Sequence, residues 1–81
     1  MIAYHGTNKE AAESIKLTGF RQGTYFAYHK EDAIEFGGKY VFEVEFSDDP
    51  VRWRGEPDGW QFFLRDPLGV EHIKNFEVIE G

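Results

Sequence analysis

His5-Gly6-Thr7 places an imidazole, a bare stretch of backbone and a hydroxyl side by side. An imidazole next to glycine can hydrogen-bond a ligand while a flat group approaches the glycine N–H and C=O, which no side chain covers. Tyr25 follows Gly23-Thr24, and Phe36, eleven residues further on, precedes Gly37. Two such rings sandwich a flat heterocycle if the fold brings them face to face. The same residues also suit packing: in a chain rich in aromatics, Tyr25 and Phe36 serve equally as core, and His5 as the closure of a turn. Other chemistries lack their residues. There is no G-x-x-x-x-G-K phosphate loop, no H-E-x-x-H and no serine nucleophile elbow. His5, His29 and His72 are dispersed, and cysteine is absent, so no metal site, disulfide or thiolate chemistry is expected.

The chain that must position these residues has 81 residues, which suits a single domain over 1–81 with a thin stability margin. Eight Phe, four Tyr and two Trp must supply the packing, with Trp53 and Trp60 expected in the core. No run of about 18 apolar residues suggests a membrane span. No basic-then-apolar segment at the N-terminus suggests a signal peptide, so a cytoplasmic location is expected. The net charge of −6 falls entirely on residues 41–81. No basic face is present for phosphates, so direct nucleic-acid binding is not expected. Glu43, Glu45, Asp48, Asp49, Glu56 and Asp58 serve either solubility or a basic partner protein.

The pattern of elements is α+β: a mixed, mostly antiparallel sheet of five or six strands with two short helices early in the chain. "MIAYH" reads as a strand. Thr7 and Glu10 fit a capping box for a helix over about 8–17, which Gly19 stops and on which Phe20 packs back. "GTYFAY" is extended, "KEDAIEFGG" is a short helix, and "KYVFEVEF" alternates with Tyr40, Phe42, Val44 and Phe46 on one face. "VRWR" is a weaker strand before the loop "GEPDG". "WQFFL" shows little alternation and reads as a strand covered on both faces. "VEHIKN" suggests one helical turn, and "FEVIE" a last strand.

Taken in order, "YHGTNKEAAESIKLTGF" and "GTYFAYHKEDAIEFGGKYVFEVEF" resemble the ADP-ribosyltransferase fold, in the His-Tyr-Glu branch of the poly-ADP-ribose polymerases and diphtheria toxin. The likeness covers positions 3–46. It implies a small ADP-ribosyltransferase-like domain with NAD as cofactor. His5 would hydrogen-bond a ribose, the Gly6 backbone would bind the nicotinamide carboxamide, and Thr7 would lie towards the adenosine. Tyr25 and Phe36 would stack on the nicotinamide. Ala33 stands where many relatives place a serine that holds the carboxamide, and Gln61 where the family has its catalytic glutamate. An amide still hydrogen-bonds ribose hydroxyls but supplies no negative charge to an oxocarbenium-like state; Glu56 or Asp58 could supply it instead.

Two functions follow. The first is mono-ADP-ribosyl transfer to a macromolecular target, with His5, Tyr25 and Gln61 as the catalytic set. The second is a pseudoenzyme on the same fold, with an acidic surface that blocks the nucleic-acid path of a basic machine, as a phage-encoded anti-CRISPR inhibitor would.

Overall fold

The computed structural model describes residues 2–46, 53–55 and 61–79. Its strands are β1 (Ile2–Thr7), β2 (Tyr25–Ala27), β3 (Tyr40–Glu45), β4 (Trp53–Gly55), β5 (Gln61–Leu64) and β6 (Ile73–Val78). They form one antiparallel sheet in the order β4-β5-β2-β1-β3-β6. Two helices, α1 (Lys9–Thr18) and α2 (Lys30–Gly37), complete the α+β architecture.

Strand alternation sorts the side chains between the two faces. The register pairs His5 with Phe42 and Phe26 with Phe62, so these four share one face. On it Phe20, Phe26, Phe42 and Phe62 are buried with Ala12 of α1 and with Leu68. The rings meet mostly edge to face: Phe20 lies 4.9 Å from Phe26 and 5.6 Å from Phe42, centroid to centroid. Such pairs align the ring edge with the π-face of the neighbour and add to the gain from burial. The opposite face carries Tyr4, Gly6, Tyr25, Ala27, Val41 and Gln61. Its cover is α2, which buries Ala33 there.

The first helix is capped differently from the capping box read in the sequence. Thr7 ends β1, and Asn8 is the cap: its side-chain oxygen accepts from the Ala11 N–H at 2.8 Å. Both residue types cap well. The deciding factor is β1, whose pairing with β3 runs through Thr7↔Tyr40 and holds Thr7 extended. Gly19 closes the helix at φ 83°, and Phe20 turns back to exchange backbone hydrogen bonds with Leu68 at 2.7 and 2.9 Å.

Two other expectations are corrected. β5 does alternate: Phe62 and Leu64 are buried, Gln61 and Phe63 only half so. Phe63 hid the period because it is apolar on the outer face, where it meets the edge of Tyr25 at 6.3 Å. The helical turn near the C-terminus is a short 3-10 turn, Val70–His72, and β6 begins at Ile73 rather than at Phe76. Pairing with β3 recruits Ile73, opposite Val44 after a register shift at Glu43/Val44. Val51, Arg52 and Trp60, and the loop 56–59, lie outside the described residues.

The capping assignment is testable. Asn8→Ala is expected to lower unfolding free energy by about 1 kcal/mol, and Thr7→Ala by less, in urea denaturation. A larger loss at Thr7 would reinstate the capping box.

Candidate functional site

The sheet is weakest where β1 meets β2. Among the described residues their ladder consists of the pair Tyr4↔Ala27, whereas β1 pairs with β3 along its full length from Ile2 to Thr7. Beyond Tyr4 the two strands are joined by a side chain: His5 Nδ1 lies 3.0 Å from the Tyr25 carbonyl oxygen. A carbonyl can only accept, so Nδ1 carries the hydrogen, and the neutral ring keeps a lone pair on Nε2. Phe20, Phe26 and Tyr25 surround the imidazole at centroid distances of 5.7, 5.5 and 6.4 Å. Burial lowers the His5 pKa below its ordinary value, against the smaller opposing effect of the bond to Tyr25. His5 is therefore a neutral hydrogen-bonding group at neutral pH rather than a cation.

On the α2 side lies a cleft bordered by Tyr4, His5, Gly6, Tyr25, Ala27, Asp32, Ala33, Phe36 and Gly37. It gathers His5, Gly6, Tyr25, Ala33 and Phe36, which the sequence had singled out. Tyr25 and Phe36 are 38% and 57% exposed, so neither is the core ring that packing alone would make it. The cleft is nearly closed. Its volume is about 10 Å³, room for about one water molecule and not for a six-membered ring. The backbone of Gly6 is not open, because α2 rests on it. A Cβ on Gly6 would overlap the Ala33 carbonyl oxygen, and one on Gly37 would overlap the Gly6 carbonyl oxygen. Glycine at these positions permits a backbone-to-backbone contact.

On the α1 side His5 borders a second, larger space. This groove of about 320 Å³ is lined by His5, Ala11, Ser14, Ile15, Gly19, Arg21 and Thr24. Its size lies within the range of small-molecule sites. Arg21 is exposed there and forms no ion pair among the described residues. A guanidinium and two hydroxyls beside a neutral imidazole form a donor-rich surface for phosphate and sugar oxygens. Sequence reasoning missed Ser14, Arg21 and Thr24. They are polar residues scattered over helix and loop, and only the return of the chain from α1 to β2 assembles them.

The remaining expected residues are placed as follows. Thr7 borders neither space. Gln61 pairs with Ala27, so it stands on the sheet face of the cleft, one strand away from its wall. Glu43 and Glu45 are on β3, where Glu45 lies 3.8 Å from Lys74; Asp48, Asp49, Glu56 and Asp58 lie outside the described residues. Among the described residues no helix is long and apolar enough to cross a membrane, and no group of three or more His, Cys, Asp or Glu is placed to hold a metal. No protein-family model, curated protein or solved structure matches the chain.

Two consequences are measurable. Just below pH 6.5 the unfolded chain protonates His5 and the folded chain does not, so unfolding takes up a proton and stability rises with pH across that window. In His5→Gln, urea unfolding between pH 5 and 7.5 (chosen for the assay) is expected to lose this share of the slope; an unchanged slope contradicts a neutral buried ring. Gly37→Ala sets a methyl group against backbone, which no side-chain rotation relieves. It is expected to cost about 1–3 kcal/mol, with amide NMR shifts concentrated along α2 and at Gly6. A neutral substitution would mean that α2 does not rest on β1.

Proposed function

We propose that the chain is a minimal ADP-ribosyltransferase-like protein that binds an NAD-type dinucleotide across His5. The observation that carries the reading is that His5 borders both the cleft and the groove. A dinucleotide has two parts of unequal shape, a flat heterocycle on a ribose and a nucleotide joined to it through pyrophosphate. The groove suits the nucleotide part, with Arg21 for phosphate and Ser14 and Thr24 for hydroxyls. The lone pair on His5 Nε2 accepts from a ribose hydroxyl while Nδ1–H stays committed to Tyr25. The residue types around the cleft, two exposed rings and a glycine strand, suit a nicotinamide. The closed cleft does not admit one, so the ring remains at its mouth unless α2 moves.

Gln61 sets the level of turnover. In the family this chain resembles, a glutamate contacts the ribose and stabilises positive charge as nicotinamide leaves. The amide of Gln61 retains hydrogen bonding and lacks the charge, a loss worth on the order of 10²–10³ in rate. The reading is therefore of a nucleotide-binding protein with little or no transferase activity.

Titration of the labelled chain with NAD, followed by NMR, tests it. Shifts are expected at His5, Ser14, Arg21 and Thr24, and the absence of any shift at millimolar NAD would sink the reading. Gln61→Glu is expected to leave that binding in place and to raise NAD hydrolysis on the order of 10²-fold over the unsubstituted chain. Equal or lower hydrolysis would remove Gln61 from the site.

A further inference from the structure

We propose that the site selects ADP-ribose over NAD, so that the preferred ligand is the nucleotide from which nicotinamide is already gone. The inference rests on the dinucleotide reading and assigns its ligand. Selectivity follows from the contrast between the two spaces that share His5. The groove of about 320 Å³ is open and donor-rich, while the cleft of about 10 Å³ is filled by the packing of α2 on Gly6. ADP-ribose has a hydroxyl where NAD carries the ring. That hydroxyl needs a hydrogen-bond partner and no cavity. The nicotinamide of NAD needs either an open cleft or exposure to water.

Opening the cleft means separating two backbones. The contact at Gly6, Ala33 and Gly37 involves no side chain that could swing aside. One interaction works in the opposite direction. Asp32 borders the cleft, and its carboxylate attracts the positive ring of NAD. It is half exposed, and a solvent-screened charge of this kind contributes little. At the groove Arg21 meets the pyrophosphate that both nucleotides share, so it sets affinity without discriminating between them.

NMR titration of the labelled full chain with ADP-ribose, NAD and nicotinamide decides the matter, giving both affinity and the residues that respond. ADP-ribose is expected to bind with shifts at Ser14, Arg21 and Thr24, NAD at least about tenfold more weakly, and nicotinamide not at all. Arg21→Ala is expected to weaken both nucleotides about tenfold and to leave their ratio unchanged. Gly37→Ala, which forces α2 away from β1, is expected to narrow the ratio. NAD binding as tightly as ADP-ribose, with shifts at Tyr25 and Phe36, overturns the selectivity and leaves the dinucleotide reading standing. If neither nucleotide binds at millimolar concentration, both fall together.

Discussion

The site depends on one contact, the seating of α2 against β1 through glycine. Gly6 and Gly37 meet without side chains between them, and the Ala33 carbonyl occupies the position of a Cβ on Gly6. This close approach lets an eight-residue helix with little else to bury cover one face of the central strand. Its N-cap, His29, makes no side-chain capping bond. The Lys30–Glu77 ion pair also ties α2 to β6, but it is largely exposed and adds little. The geometry that stabilises the helix is therefore also the geometry that shuts the cleft. Stability and access at this position oppose each other.

On the other face the balance is different. His5 sits among Phe20, Phe26 and Tyr25, and its side-chain hydrogen bond spans the place where β1 and β2 diverge. A phenylalanine there would fill the space but leave the Tyr25 carbonyl without this donor. The imidazole satisfies the carbonyl and still presents a second nitrogen. Closing a corner and holding a ligand are thus compatible in one residue: Nδ1 performs the first, and among the described residues Nε2 is given no hydrogen bond.

Much of this was legible in the sequence for identifiable reasons. The face of β3 is readable because Phe42, Val44 and Phe46 alternate with Glu43 and Glu45, and the end of α1 because glycine at a positive φ stops a helix. The cap was misplaced by one residue because Thr7 and Asn8 are both good caps, and the choice is made by strand pairing with Tyr40, a non-local contact. The start of β6 is hidden in the sequence because Ile73 and Lys74 look like the continuation of a turn until β3 pairs with Ile73. At the cleft, His5, Gly6, Tyr25 and Phe36 stand out by residue type and Ala33 by the resemblance, while Tyr4, Ala27, Asp32 and Gly37 carry no such signal. The groove was not found, because no local pattern links Ser14 on a helix to Arg21 and Thr24 beyond it. Nor does sequence reveal volume. A glycine marks a place where something comes close, and here the thing that comes close is another part of the same chain.

On the proposed reading, the distribution of charge favours binding over turnover. Departure of nicotinamide from NAD develops positive charge at a ribose carbon, and a fixed carboxylate beside that carbon favours it. Gln61, on the face that borders the cleft, is neutral, and His5 is held neutral by burial. The carboxylate that does border the cleft, Asp32, stands on α2, whose first turn favours an anion because the helix N-terminus is positive. Any motion of α2 that admitted a ring would carry Asp32 away with the helix. Among the residues that line the cleft, those on strands are neutral and the charge stands on α2, so opening for a substrate and stabilising its transition state would compete. The ligand proposed here requires neither, since its phosphates would meet Arg21 and its hydroxyls His5 with α2 left in place.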